Sequence, residues 1–182
     1  YLGFSEHNPS SSKHSPKQVL DLLKRKREII DKLNYSIKKD THVKEFLAIN
    51  GLEVDIKPSG ELALPEECFK TLDYVIVSIH SSFDMSQKEM TKRVLAGLSH
   101  PKAIVFGHPT GRKLGEREGY ELDWEQVFPF CSKQKKFLEI NAWPNRRDLP
   151  DALVKIAVKM GVKMVINTDS HLVDQLDNIF YG

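Results

Sequence analysis

Cysteine is scarce in this sequence: Cys68 and Cys131 are the two in 182 residues. They lie far apart without Cys-x-x-Cys spacing, which excludes a disulfide-stapled scaffold and a thiolate metal finger and leaves two reduced core thiols. Long apolar runs are lacking as well. No stretch approaches the roughly 20 residues of a membrane span, and the N-terminus has no basic-then-apolar leader pattern, so a soluble cytoplasmic protein with no membrane partner is expected. The net charge is only +2 at pH 7, too small to argue for nucleic-acid binding, which must rest on local basic clusters. Hydrophobic residues at 40% and charged residues at 29% are ordinary for a globular protein and argue against disorder. The length suits one domain spanning residues 1–182.

What the sequence does have is a repeated pattern. Tyr1-Leu-Gly-Phe-Ser-Glu-His7, Tyr74-Val-Ile-Val-Ser-Ile-His80, Ala103-Ile-Val-Phe-Gly-His108 and Val165-Ile-Asn-Thr-Asp-Ser-His171 each read as a short strand that delivers an imidazole at its C-terminal end. Between them the chain alternates. Ser15-Pro16 caps a helix running to about Leu33, with apolar Val19, Leu22, Leu23, Ile29, Ile30 and Leu33 at helical spacing and the basic run Lys24 to Arg27 read as a solvated outer face. Phe46 to Ile56 reads as a strand and Pro58-Ser-Gly60 as a turn. A short helix near 65–71, a strand at 74–79, a helix at 86–98, a strand at 103–107, a helix at 123–134, a strand at 136–141, a helix at 150–160 and a strand at 163–168 follow. Alternation of this kind predicts an α/β fold with parallel strands, whose C-terminal ends share one face. Tyr1 opens directly into a strand and Gly182 closes after a short helix, so the chain reads as a piece of a longer protein lacking at least one βα unit at the front.

Convergence would bring His7, His80, His108 and His171 together with carboxylates. Residues two apart in a strand point the same way, so Glu53 with Asp55, and Asp169 with His171, can each aim a pair of ligands into one site. Imidazole suits zinc, manganese or iron, and carboxylates bridge neighbouring cations and offset their charge. His14, His42 and His100 stand in loop or turn contexts and are left out of the site.

These residues also carry a resemblance. Phe4-Ser-Glu-His7, Gly51-Leu-Glu-Val-Asp55, Ser78-Ile-His-Ser81, Gly107-His-Pro-Thr-Gly-Arg112, Glu139-Ile-Asn-Ala-Trp-Pro144 and Asn167-Thr-Asp-Ser-His171 together resemble, in order, the PHP (polymerase and histidinol phosphatase) domain. The version is similar to that of bacterial and archaeal family X DNA polymerases. The resemblance implies a distorted (βα)7 TIM-like barrel, incomplete here at its N-terminus, with a trinuclear Mn2+ or Zn2+ centre at the C-terminal face. Its metal ligands would be His7, Glu53 (bridging), His80, His108, Asp169 and His171, with Glu53, His80 and Asp169 closest to catalysis. The family's opening His-x-His strand and the histidine shortly after it have no counterpart here, so a full set of metals is not expected. Glu6 stands where relatives commonly have Asp, and is expected to orient His7.

The activity implied is metal-dependent phosphodiester hydrolysis on DNA, a 3′→5′ exonuclease or 3′-end processing role in repair. DNA 3′ ends or gapped DNA would be the substrate, and an N-terminal polymerase domain the partner in the parent chain. Arg112, Lys113, Arg146 and Arg147 follow the strand ends and could reach phosphate oxygens, Asn141 could hydrogen-bond substrate, and Trp143 could stack on a base. Two alternatives remain: a histidinol-phosphate-type phosphomonoesterase, and a degenerate module that supports a polymerase without catalysis.

Overall fold

A computed structural model describes residues 1–43 and 45–182. Among the described residues there are seven strands: β1 (Leu2–Phe4), β2 (Ala48–Asn50), β3 (Glu53–Asp55), β4 (Val75–Ser78), β5 (Ala103–Phe106), β6 (Phe137–Asn141) and β7 (Lys163–Asn167). Four α-helices join them: α1 (Pro16–Lys39), α2 (Gln87–Leu98), α3 (Trp124–Gln134) and α4 (Asp151–Lys159), with 3-10 segments at Glu66–Thr71 and Val173–Tyr181. All strand pairs are parallel. β3 to β7 form one sheet in sequence order, and β1 pairs with β2 in a second.

The single strand expected over 46–56 is divided at Gly51-Leu52 because the chain changes partners there. Before the break it faces β1, with the Gly51 N–H donating to Phe4 O (2.9 Å); at the break, Ile76 N–H of β4 donates to Leu52 O (2.9 Å). The ladder toward the first strand still continues, as Glu53 N–H donates to Glu6 O (2.9 Å) and His7 bridges to Glu53. Gly51 has no spare room at this crossing: a Cβ would fall 2.6 Å from the Tyr74 ring carbon Cε1. A closed barrel is not observed. Among the described residues β1 and β7 share no ladder, so the α/β, parallel part of the expectation stands while closure, which needs those hydrogen bonds, does not.

Helix α1 starts as expected, with the Ser15 hydroxyl accepting from Gln18 N–H and the Gln18 side chain returning to Ser15 N–H. It runs past Leu33 to Lys39, and the extension has a purpose: the Asn34 amide mimics a strand, donating to Ala48 O (2.8 Å) and accepting from Ala48 N–H (2.9 Å), which anchors β2. The buried face is Val19, Leu23 and Ile30, while Leu22, Ile29 and Leu33 are exposed. Lys26 falls within that buried stripe at helical spacing. It donates to Phe4 O (3.1 Å), Gly51 O (2.5 Å) and Glu6 (2.5 Å), and Arg27 donates to Thr71 O and Asp73. Reading the whole basic run as solvated surface is therefore corrected for these two residues: they saturate carbonyls at strand and turn ends.

The core is continuous, built from Leu52, Val54, Ile56, Val75, Val77, Phe106 and Leu138 of the strands and their margins, against Met90, Val94, Leu98, Val127 and Phe128 of the helices. Burying each such side chain stabilises the fold by about 1.5–3 kcal/mol. Cys68 and Cys131 are free and buried within it, and burial pushes the Cys131 thiol up to about 12. Among the described residues no helix is long and apolar enough to cross a membrane.

Candidate metal centre

Glu53 stands among three imidazoles, those of His7, His80 and His108. Its Oε1 accepts from Ser78 Oγ (2.7 Å), lies 2.9 Å from His108 Nε2 and 3.4 Å from His80 Nε2, and its Oε2 lies 3.3 Å from His7 Nδ1. The rings form an arc: His171 to His7 at 6.3 Å between centroids, His7 to His80 at 4.9 Å, His80 to His108 at 5.1 Å. His7, Glu53 and His80 offer ligand atoms that all lie within 4.8 Å of one another. Asp169 and His171 line the same cavity of about 370 Å3, but stand outside that tight group.

Each ligand's placement follows from its strand. His80 and His108 come two residues after β4 and β5, Asp169 two after β7, and Glu53 opens β3 beside His7. The pleat argument holds for Glu53 and Asp55, which both reach His80: Asp55 Oδ1 is 2.5 Å from His80 Nδ1. The Asp55 contact at Nδ1 orients the His80 ring so that Nε2 faces Glu53. Asp169 and His171 arrive differently. Residues 168–171 are not a strand; Asp169 has φ +52°, and a turn rather than a pleat brings the pair to the cavity. His108 also sits at positive φ, +28°. Glu6 does not orient His7, since its carboxylate is drawn to Lys26 Nζ instead. His14, His42 and His100 stand outside the cavity, the His100 ring packing at a tilt against Phe69 with centroids 4.0 Å apart.

Electrostatics favour a charged Glu53. Burial would raise its pKa, but the hydrogen bond and charge of His108, then the charge of His80 and the Ser78 hydroxyl, hold it down at about 2. Burial works against protonated His108, yet its bond to Glu53 raises it on balance. His80 Nε2 and His108 Nδ1 are buried without a hydrogen-bond partner among the described residues. Unsatisfied buried nitrogens are uncommon. Imidazole and carboxylate donors gathered this closely, with a partnerless His80 Nε2 beside Glu53, fit a divalent cation.

Behind the ligands lie residues whose role the sequence pattern did not reveal. Asp148, fully buried, accepts from Thr110 N–H (3.0 Å) and Gly111 N–H (3.0 Å), pinning the turn after His108; burial pushes its pKa up. Arg93 of α2, 2% exposed, donates to Ile56 O at the end of β3 and to Ser81 O just after His80.

The basic residues divide. Arg146 and Lys113 line the same cavity; Arg146 Nε is 3.3 Å from Asp169, its Nη1 is buried without a partner among the described residues, and Lys113 pairs with Glu116 on the rim. Arg112 and Arg147 line a separate cavity of about 560 Å3. The Arg112 guanidinium is spent on the carbonyls of Arg146 and Arg147. Asn141, 1% exposed, is bonded to Asp169 and Glu139. Trp143 meets His171 edge to face at 5.8 Å.

With this geometry in hand, likeness to known proteins becomes informative. No family model matches the chain. The DNA polymerase/3′-5′ exonuclease PolX of Bacillus subtilis (strain 168) is 34% identical over 182 residues, all of this chain and 31% of that protein. The likeness to that polymerase runs the whole length of this chain and is consistent with the resemblance to a PHP domain. Probable phosphatases of Thermoanaerobacter sp. (strain X514) and Clostridium acetobutylicum are each 32% identical, over 134 and 133 residues, 68% of this chain and 52% of theirs. The chain thus spans about a third of PolX and about half of the phosphatases.

Proposed function

We propose that this PHP-type chain is the metal-dependent phosphoesterase part of a family X DNA polymerase, acting on DNA 3′ ends as a 3′→5′ exonuclease. The observation that carries the reading is Glu53, held ionised among the imidazoles of His7, His80 and His108 in an open cavity lined also by His171, Arg146 and Lys113. His7, Glu53, His80, His108, Asp169 and His171 are the residues that would hold divalent cations, Mn2+ or Zn2+. A bound cation supplies Lewis-acid stabilisation of phosphate charge and acidifies water. Glu53 and Asp169 offset cation charge. The buried Nη1 of Arg146, partnerless among the described residues, is suited to a phosphate oxygen, and the partly exposed ammonium of Lys113 to a second phosphate along a strand. Arg112 and Arg147 recede from this role because both line the neighbouring cavity and the Arg112 guanidinium is bonded to the carbonyls of Arg146 and Arg147. Trp143, at the rim beside His171, offers a face on which an unpaired base can stack. We read the domain as residues 1–182 and the parallel array as the wall of a distorted barrel, supported by convergence of the ligands at strand ends.

A phosphomonoesterase is the second reading, favoured by the relatives named probable phosphatases. The test is Mn2+-dependent release of nucleotides from a 3′-recessed duplex, beside hydrolysis of histidinol phosphate. Digestion of the duplex from its 3′ end supports the nuclease. Turnover of histidinol phosphate alone would transfer the assignment to the phosphatase, and Mn2+ binding without either activity would make the chain a non-catalytic module.

A further inference from the structure

We propose that Glu139 is a positioning residue for the metal centre, one buried carboxylate that sets two separate ligands, His108 and Asp169. The inference rests on the metal reading above. Glu139 lies within β6, 3% exposed, and does not line the cavity. Both of its oxygens are turned toward donors. Oε2 accepts from His108 N–H (2.5 Å) and Asn141 Nδ2 (3.2 Å), and Oε1 accepts from Asn167 Nδ2 (2.7 Å). Asn141 passes the constraint on: its Nδ2 also donates to Asp169 Oδ2 (3.1 Å), and its Oδ1 accepts from Trp143 N–H (3.0 Å), which fixes which way the amide points. Asn167, two residues before Asp169, is clamped by the other oxygen.

The two ligands reached this way both hold positive φ, +28° at His108 and +52° at Asp169. A side chain with a Cβ is disfavoured there and persists only when its surroundings over-determine it. Glu139 supplies that determination for His108 through its backbone and for Asp169 through Asn141. It touches neither the cavity nor any substrate, so its effect is on where the ligands stand.

The test exploits donor and acceptor matching. Glu139→Gln keeps the length of the side chain but turns one acceptor into an NH2 that faces another donor, Asn167 or the His108 amide. Mn2+ affinity, followed by electron paramagnetic resonance titration, is expected to fall about 10- to 100-fold, and hydrogen exchange at the His108 amide of the metal-free protein to accelerate. Adding Asn167→Asp gives the new NH2 an acceptor and is expected to return Mn2+ affinity to near the wild-type value, which a merely structural role would not do. Glu139→Gln with wild-type affinity and unchanged His108 exchange overturns the inference. So does a stably folded double variant that recovers no affinity. If Glu139→Gln fails to fold, Asn141→Ala decides, since unchanged Mn2+ affinity in that variant removes the route to Asp169. A wild-type protein that binds no Mn2+ would instead overturn the metal reading, and His108 amide exchange would still judge the role of Glu139.

Discussion

Arg93 gives the sharpest stability prediction, because its side chain is a buried cation whose hydrogen-bonding partners are all neutral. Replacing it by Met keeps an unbranched chain of similar reach and removes the charge with its donors. Ile56 O then loses both Nε and Nη2 in a fully buried setting, and Ser81 O and Ser82 O lose Nη1. The serine carbonyls lie on an exposed loop and can turn to water, so the main loss is at Ile56. A hydrogen bond to a charged group contributes about 1.5–3 kcal/mol net, and an orphaned buried carbonyl costs about 1–3 kcal/mol. Relief of guanidinium desolvation offsets part of this. We expect a net loss of about 2–4 kcal/mol, which at about 2–4 °C per kcal/mol for a chain of this size lowers Tm by about 4–16 °C in calorimetry. Arg93→Lys should not rescue, since it leaves a charge buried with fewer donors to reach Ile56 and Ser81 together. A Met variant melting within about 2 °C of wild type, or a Lys variant as stable as wild type, would show that these carbonyls do not depend on the guanidinium.

Four further outcomes follow from the geometry. Glu53→Ala should abolish Mn2+-dependent hydrolysis while DNA retention in filter binding persists, whereas Lys113→Ala with Arg146→Ala should flatten the salt dependence of single-strand binding by about 0.7 log units per lost phosphate contact; an unchanged slope would return these residues to ordinary surface. Asp148→Asn, which leaves one acceptor for Thr110 N–H and Gly111 N–H, should cost about 1–3 kcal/mol in urea unfolding. Asp73 is raised by burial but lowered further by Arg27 and the Asn50 N–H, so its folded pKa lies below the ordinary aspartate value; its contribution is present above that value and lost as pH falls through the folded pKa. Asp73→Asn should therefore lower Tm at pH 7 and make little difference in strong acid, and an equal penalty at both would contradict the assignment.

The strand-end histidines were legible because each follows an apolar run short enough to be a strand and too regular in context to be chance. The parallel order was legible from alternation alone. Residues answering to partners across the fold were hidden. Lys26 reads as one member of a basic run until its spacing from Val19, Leu23 and Ile30 is noticed, which puts it on the inward stripe. Arg93 and Asp148 carry no local signal at all, since their meaning lies in carbonyls and amides contributed by other elements. Asn141 was legible as facing the same way as Glu139, but not as buried beneath Asp169 rather than open to substrate. The convergence of Asp169 and His171 was reached for the wrong local reason, because sequence periodicity cannot announce a residue at positive φ other than glycine.

The arc of imidazoles is steeply graded in access. The His7 side chain is 56% exposed, that of His80 26% and that of His108 3%. An acylating reagent such as diethyl pyrocarbonate will therefore consume the histidines in sequence, His7 and His171 early, His80 later and His108 last. The centre has a door and a back wall, and the order in which its histidines are lost to the reagent reads out which is which.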